Sequence, residues 1–410
     1  MNPHVNSPNV KIKVLVCALA LPFLIALLFW GVKMYFTATM PDYINSLGYL
    51  NHTEKITGMH LLHESAAQGD NLIIFGSSEL ATFEIPTHPS NFFAGGRSGF
   101  QVNLIGRGSC QAIIHAIAIA ASGDALADSR IVIITSPQSY VPLGIAPDMF
   151  MANFSPQQYM ALLAADDISD EVKQAISARI LTLFDRYEQM PNAVEIDPAI
   201  RWLAEHHASP TAATSARNAI LSPYYALARY MYNLRDLTSS RNLLNAVHDI
   251  PQPAALSGPI DWEHEERLAI AAARAMSYNN DFGMLNDYFT VNIGTHLNRF
   301  EGRDRHLDYN FSEEYDDLRI LFEVINQKGL DPLFIHVPFH ATWSDFTGLT
   351  AEMRQVYYDK VRDIAQEYGI RILDLTGYEY EEYFLCDIVH LGWRGWLRVA
   401  QALIEFYHGY

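Results

Sequence analysis

The chain has 410 residues, of which 50% are hydrophobic, 12% aromatic and 18% charged. This composition is typical of a folded protein with a large core and excludes an intrinsically disordered chain. The formal net charge of −18 argues against a nucleic-acid partner, because proteins bind phosphate backbones largely through Lys and Arg.

The first feature along the chain is a stretch without charged residues from residue 14 to residue 32. As a helix it would extend about 28 Å, close to the roughly 30 Å hydrocarbon core of a bilayer. We interpret residues 14–36 as an uncleaved transmembrane anchor. The alternative is a cleaved signal peptide, whose apolar region is usually shorter, about 7–15 residues.

Lysines flank this stretch unequally, since Lys11 and Lys13 precede it and Lys33 alone follows closely. The positive-inside rule therefore predicts a cytoplasmic N-terminus over residues 1–13. It places the rest of the chain outside the cell membrane, as the extracytoplasmic part of a single-pass protein. Residues 37–68 are predicted to be a partly helical connector.

Five apolar runs follow, each bounded by turn residues, with predicted helices such as 111–122 and 353–368 between several of them. The runs cover residues 71–75, 101–105, 130–135, 332–337 and 370–375. Strand and helix in alternation predict an α/β domain over residues 69–410, with a parallel sheet covered by helices on both faces. Ligand sites of such domains lie beyond the carboxyl ends of the strands.

The pattern changes between about residue 150 and residue 325. Residues 157–189 and 213–247 have the periodicity of amphipathic helices, and no strand is predicted there. We interpret this region as a large helical insertion between the third and fourth strands.

A candidate nucleophile follows the first strand, in Gly76-Ser77-Ser78. A serine that opens a helix lies where backbone N–H groups favour developing negative charge. An ordinary helix N-cap is the alternative explanation for serine at this position.

A candidate base lies near the C-terminus, in Asp387-x-x-His390. On one helical turn, a spacing of three residues puts a carboxylate and an imidazole on the same side. An Asp beside a His can hold the tautomer and orientation that a general base needs.

The glycine-rich turn after the second strand is a candidate oxyanion hole, because glycine lets the backbone approach a ligand closely. The N–H of Gly108 is predicted to act there together with the N–H of Ser78. The turn lacks the spacing of a nucleotide phosphate loop.

The order of these segments resembles the SGNH/GDSL hydrolase superfamily. The resemblance implies a flavodoxin-like three-layer fold with Ser78 as nucleophile and Asp387 and His390 completing a triad. Ser77 stands where that superfamily has Asp. The side-chain amide of its third block is supplied by Gln111 or by Gln138, and the sequence leaves both open; we place Gln111 in the oxyanion hole.

The segments FGSSEL, GRGSCQ, ITSPQSY, VPFHATWSDFTGL and DIVHLGWRGW also resemble the DltD family. That resemblance implies D-alanyl transfer to teichoic acid or a related envelope polymer through an ester on Ser78. The implied partners are a multipass membrane O-acyltransferase of the DltB type, a D-alanyl carrier protein, the acceptor polymer and the membrane. Residues 338–343 depart from the family's Pro-x-Asn-Gly-x-Trp pattern.

Two other classes of function remain open. One is an O-acetyltransferase for a polysaccharide, or an esterase or thioesterase, of the SGNH type. The other is a protein without catalysis that binds the acceptor or the carrier for a membrane acyltransferase.

Three further residues are predicted to contact substrate: Glu79, through the D-alanyl ammonium, and His340 and Trp343, which follow the fourth strand. The structural alternative for Glu79 is an acid stabilised by the N-terminus of a helix, and for His340 and Trp343 it is packing in the core. Cys110 and Cys386 are expected to be buried free thiols, with a disulfide as the alternative in an oxidising compartment. We expect neither a metal nor a cofactor.

Overall fold

The structure is a computed structural model that describes residues 8–94, 96–110, 112–127, 129–144, 146–249 and 259–409. For residues 8–19, 21 and 22 it describes the backbone alone.

A five-stranded parallel sheet forms the centre of the domain, as the sequence predicted. Its strands are Asn71–Phe75 (β1), Gln101–Ile105 (β2), Ile131–Thr135 (β3), Leu333–His336 (β4) and Arg371–Asp374 (β5). The strand order is β2-β1-β3-β4-β5, which is the order of flavodoxin-like sheets. Each strand lies within two residues of its predicted apolar run, because strands buried on both faces consist of nearly unbroken apolar residues.

The described part of the chain contains sixteen α-helices. They are Pro8–Ala38 (α1), Thr53–Thr57 (α2), His60–Ala67 (α3), Pro89–Phe92 (α4), Ala112–Ala121 (α5), Pro147–Asn153 (α6), Pro156–Leu163 (α7), Asp170–Glu188 (α8), Pro198–Ala208 (α9), Ala212–Val247 (α10), Trp262–Met276 (α11), Asn286–Asn292 (α12), Glu313–Gln327 (α13), Ala341–Thr347 (α14), Ala351–Glu367 (α15) and Trp393–His408 (α16).

Two hydrophobic cores lie on opposite faces of the sheet. On β1, Ile73 and Phe75 belong to the core under α5, α13 and α15. Leu72 and Ile74 point the other way, into the core under α16. Side chains alternate in direction along a strand, so one apolar strand supplies both cores. This layered arrangement fixes the carboxyl ends of β1 and β2 relative to α16, which follows the candidate base.

Between β3 and β4 the described residues form helices α6 to α13 joined by loops, and no strand, as predicted. Residues 157–189, which have the periodicity of amphipathic helices, form two helices, since α7 ends at Leu163 and α8 begins at Asp170. The physical reason is an N-cap at Ser169, whose hydroxyl accepts a hydrogen bond from the N–H of Val172 and starts a new helix.

Helix α1 contacts α10, where the Tyr230 hydroxyl donates to the carbonyl of Phe29 at 2.6 Å. Within the residues that the structure describes in full, no helix combines the length and the apolar character that crossing a membrane requires. The predicted anchor over residues 14–36 falls partly outside the described side chains, at residues 14–19, 21 and 22.

Candidate active site

The serine turn begins directly after β1. Residues Ser78–Ala81 form a short 3₁₀ turn, so the predicted helix at this position is present only as a single tight turn. The buried carboxylate of Glu79 accepts a hydrogen bond from the N–H of Ser77 at 2.6 Å and closes the turn from inside. The side chain of Ser78 is half-buried at the carboxyl end of the sheet.

The glycine turn after β2 lies against the serine turn. Gly106 has a φ of +155°, and a Cβ at this position would lie 1.9 Å from the carbonyl oxygen of Gly76. Only glycine allows the two backbones to come so close. The Ser77 hydroxyl donates to the carbonyl of Arg107 at 3.5 Å, which adds a direct contact between the two turns.

The predicted helical geometry of Asp387 and His390 is wrong, because residues 387–390 form a bend rather than a helical turn. An antiparallel bridge between Leu385 and Leu391 closes this loop at its base. Inside the loop, Oδ1 of Asp387 accepts hydrogen bonds from the N–H groups of Val389 at 2.9 Å and His390 at 2.8 Å. The spacing of three residues therefore belongs to an Asx-type turn, and this turn also places the side chains of Asp387 and His390 together.

The structure brings the three predicted triad residues into one hydrogen-bonded chain. Ser78 Oγ lies 2.7 Å from His390 Nε2, and His390 Nδ1 lies 2.6 Å from Asp387 Oδ2. Both distances suit hydrogen bonds. This is the geometry in which an imidazole accepts the hydroxyl proton of serine while a carboxylate holds its other nitrogen.

Two opposing effects set the protonation of the pair. Burial by itself lowers the pKa of His390, but the hydrogen bond and negative charge of Asp387 reverse this and raise it above its ordinary value. Burial likewise raises the pKa of Asp387, and the hydrogen bond from His390 overcomes this and lowers it. Asp387 is therefore ionised at neutral pH, and His390 is a stronger base than a free imidazole.

The loop of Asp387 and His390 depends on two features that the sequence analysis missed. A Cβ on Gly392 would lie 2.7 Å from the carbonyl carbon of Leu385 and 2.8 Å from the nitrogen of Cys386, so glycine is required there. The N–H of Leu285 donates to the carbonyl of Cys386 at 2.8 Å. The part of the helical insertion between α11 and α12 thus holds the loop, and no local pattern around residue 285 indicates this long-range contact.

Asn153, at the end of α6, holds the glycine turn in a similar way. Its side-chain oxygen accepts from Nε of Arg107 at 2.7 Å, and its amide nitrogen donates to the carbonyl of Gly108 at 3.2 Å. The turn that carries Gly108 is therefore fixed to the start of the insertion. Gln111, the other predicted member of the oxyanion hole, lies outside the described residues.

The residues predicted to bind substrate are buried in the structure. His340 Nε2 donates to the carbonyl of Phe282 at 2.9 Å, and its Nδ1 accepts from the N–H of Trp343 at 3.4 Å. Trp343 is 4% exposed within an aromatic cluster that includes Phe282 and Phe300. Glu79 is 2% exposed, and burial raises its pKa. Each of the three makes internal contacts, and their roles toward substrate stay predictions.

Neither cysteine outside α1 is in a disulfide: Cys110 and Cys386 are buried free thiols. Within the described part of the chain, no group of three or more His, Cys, Asp and Glu side chains is arranged to hold a metal ion.

Comparison with known proteins identifies the family of this chain. A sequence model of the DltD family, described as DltD protein, matches residues 50–408. The chain is 28% identical to Protein DltD of Bacillus subtilis (strain 168) over 354 residues, which cover 85% of this chain and 86% of that protein. It is 24% identical to Protein DltD of Staphylococcus aureus (strain NCTC 8325 / PS 47), over 82% of this chain and 81% of that protein. For Protein DltD of Lacticaseibacillus rhamnosus the identity is 26%, over 84% and 79% of the two chains. The chain, with its serine, histidine and aspartate joined at the carboxyl end of a parallel sheet, belongs to the DltD family.

Proposed function

We propose that this chain is a membrane-anchored serine acyltransferase with an SGNH-type domain that acts outside the cell membrane. In this proposal it passes a D-alanyl group to hydroxyls of teichoic acid or a related envelope polymer. The observation that carries the proposal is the hydrogen-bonded chain from Ser78 through His390 to Asp387 in a member of the family of D-alanine transfer proteins.

The first half of the reaction loads the serine. His390 Nε2 takes the proton of the Ser78 hydroxyl as Oγ attacks the carbonyl carbon of an activated D-alanyl donor. The negative charge on the tetrahedral intermediate is stabilised by backbone N–H groups, for which those of Ser78 and Gly108 are the candidates. When the intermediate collapses, the leaving group takes the proton from His390, and a D-alanyl ester remains on Ser78.

The second half repeats these steps with an alcohol. His390 accepts the proton of an acceptor hydroxyl, which attacks the ester, and then returns that proton to Ser78 Oγ as the serine leaves. One ester replaces another, so water must be kept from the intermediate or the ester would be hydrolysed. The negative charge of Asp387 stabilises the imidazolium of His390 in both halves.

The proposal includes the arrangement at the membrane. The uncharged residues 14–32 and the lysines before them support a single-pass anchor with residues 1–13 in the cytoplasm. Resemblance to the DltD family supports a multipass membrane O-acyltransferase of the DltB type as the donor's source. It supports a D-alanyl carrier protein as the upstream partner on the cytoplasmic side.

The experiment compares two neighbouring serines in cells that depend on this protein for envelope D-alanylation. Ser78→Ala should lower ester-linked D-alanine to background, because it removes the nucleophile while leaving the fold intact. Ser77→Ala is the matched control, since the Ser77 hydroxyl makes only a 3.5 Å contact with the Arg107 carbonyl. It should retain most of the ester.

Each alternative function predicts a different result. A binding partner without catalysis keeps normal D-alanine ester in the Ser78→Ala cells, which would overturn the serine relay. An O-acetyltransferase loses acetyl ester rather than D-alanyl ester in the same cells. Mass spectrometry of the envelope polymer distinguishes the loss of acetyl ester from the loss of D-alanyl ester. Blotting checks that the Ser78→Ala and Ser77→Ala proteins are present in equal amounts.

A further inference from the structure

The buried carboxylate of Glu79 folds back on the residue that precedes the nucleophile. Its Oε1 accepts a hydrogen bond from the N–H of Ser77 at 2.6 Å, and the residue is 2% exposed. A Cβ on Gly76 would lie 2.6 Å from this oxygen, so the carboxylate occupies the room that the absent side chain leaves. The glycine before Ser77 and the glutamate after Ser78 therefore depend on each other.

Two hydrogen bonds fix the peptides on the two sides of Ser77. The N–H of Ser77 donates to Glu79, and the carbonyl of Ser77 accepts from the N–H of Leu80 at 3.3 Å, inside the 3₁₀ turn. In a planar trans peptide the C=O and the N–H point in opposite directions, so the N–H of Ser78 is directed out of the turn. Ser78 is the first residue of the turn, where an N–H has no acceptor within the turn itself. This N–H is therefore available to a developing oxyanion.

The second oxygen of Glu79 has a different environment. Oε2 is buried and has no hydrogen-bond partner within the described residues. Burial raises the pKa of this carboxyl, whereas the N–H groups of Ser77 and Glu79 and the charge of His390 lower it. The contact with a D-alanyl ammonium that the sequence predicts would have to be made at Oε2. An ammonium reaches that oxygen only if the turn opens, whereas the bond from Ser77 to Oε1 is present without substrate.

We propose that Glu79 is a positioning residue for the serine relay. Its carboxylate fixes the peptide that precedes Ser77, so that the N–H of Ser78 stays directed at the oxygen of the tetrahedral intermediate. The inference rests on the proposed function, since it requires Ser78 to be the nucleophile. A donor that is aimed in advance at developing charge stabilises the transition state, and removal of one such donor costs about 10²–10³-fold in kcat. Misdirection of this N–H should therefore appear in kcat, whatever acyl group the ester carries.

The test uses two esters that differ only in the ammonium group. D-alanine p-nitrophenyl ester carries this group, and p-nitrophenyl propionate has a hydrogen in its place. The detergent-solubilised full chain cleaves both at neutral pH, and kcat and KM are measured separately. Glu79→Met keeps the length of the side chain and removes both oxygens. Glu79→Gln removes the charge and keeps an oxygen that can accept from the N–H of Ser77.

We expect Glu79→Met to lower kcat by about 10²-fold for both esters, with little change in KM, and Glu79→Gln to recover most of the rate. A loss confined to the D-alanyl ester, seen mainly in KM and not recovered by Glu79→Gln, would show an ammonium subsite and overturn the positioning role. Normal kcat in Glu79→Met would overturn it as well.

Ser78→Ala distinguishes failure of this inference from failure of the proposed function. Cleavage of both esters that survives Ser78→Ala would overturn the serine relay itself. Loss of cleavage in Ser78→Ala, together with normal kcat in Glu79→Met, would overturn the positioning role alone and leave the relay standing.

Two further variants separate positioning from charge and from folding. Glu84 adds a negative charge near His390 and makes no hydrogen bond within the described residues, so Glu84→Gln should keep kcat within several-fold. A 10²-fold loss in Glu84→Gln would assign the effect to charge and overturn the positioning role. Circular dichroism checks that Glu79→Met is folded. If it is not, Glu79→Asp decides, because this shorter side chain keeps the charge and withdraws the oxygen from Ser77: lower kcat for both esters supports positioning, and normal kcat overturns it.

Discussion

Asp387 Oδ2 lies 2.6 Å from Nδ1 of His390, while Oδ1 of the same carboxylate accepts two backbone N–H groups of the loop. One carboxylate therefore both shapes the loop and holds the imidazole ring. The ring is fixed with its Nε2 toward Ser78, at 2.7 Å. Orientation of the base is thus a property of the loop itself.

Replacing this carboxylate with an amide separates its two roles. Asp387→Asn retains an oxygen that can accept the backbone N–H groups, so the loop should keep its shape. It loses the charge that stabilises the imidazolium and favours the wrong tautomer of His390. In serine triads such a change lowers kcat by about 10⁴. We expect a loss of this order in the release of p-nitrophenol from p-nitrophenyl acetate by the detergent-solubilised protein. Loss of less than about tenfold would contradict the triad.

The pH dependence follows from the raised pKa of His390. Only neutral imidazole accepts the serine proton, so the rate should rise with pH and reach half of its plateau above 6.5, the ordinary value. In Asp387→Asn the main cause of the elevation is gone while burial still lowers the pKa of His390, so the midpoint should move to lower pH. Rates of ester cleavage measured across the acid limb for both proteins check this, and a midpoint below 6.5 in the unaltered protein would contradict it.

The parts of the structure that the sequence predicted are those with a local signal. Strands buried on both faces give apolar runs, which predict the sheet. The serine after the first strand and the Asp-x-x-His segment have the residue types and the spacing of a catalytic triad, which predict the site. The predicted helical turn at residues 387–390 was wrong, because a spacing of three residues between Asp and His suits an Asx-type turn as well as a helical turn. The supports of the site were missed, since Leu285 and Asn153 act through contacts with residues about a hundred and about forty-five positions away.

Gly392 allows a test of how closely the loop is fixed. A Cβ here would lie 2.7 Å from the carbonyl carbon of Leu385, so Gly392→Ala should displace the loop that carries His390. Gly377→Ala is the matched control, since a Cβ at Gly377 would meet no atom within 4 Å. A displacement of about 1 Å at a reacting group can cost about 10²-fold in rate. We expect such a loss in p-nitrophenyl acetate cleavage for Gly392→Ala and near-normal rates for Gly377→Ala. Equal rates would show that the loop tolerates displacement.

The topology of the chain is open to a direct measurement. Alkaline phosphatase folds into its active form outside the cytoplasm, so fusion after Tyr410 should give active enzyme. Fusion before Lys11 should give inactive enzyme, because the lysines that precede the uncharged stretch retain this end in the cytoplasm. Activity of both fusions, or recovery of residues 41–410 as a cleaved protein free of the membrane, would contradict an uncleaved anchor in this orientation.

A buried ion pair within the helical insertion provides a prediction on stability. Arg179 on α8 donates to both carboxylate oxygens of Asp317 on α13, from Nε at 2.8 Å and from Nη2 at 2.8 Å. The side chain of Asp317 is 1% exposed. Arg179→Ala leaves that carboxylate buried without its partner, which should lower the free energy of unfolding by about 3–5 kcal/mol.

Arg319, on the same helix α13, is the matched control. Its partners Asp316 and Glu367 are 79% and 56% exposed, so Arg319→Ala should cost about 1 kcal/mol or less. Urea unfolding followed by circular dichroism gives both values. The double variant Arg179→Met, Asp317→Leu removes the unpaired charge as well, and apolar residues of similar size should restore most of the stability. If the double variant were as unstable as Arg179→Ala, the loss would come from packing rather than from the buried charge.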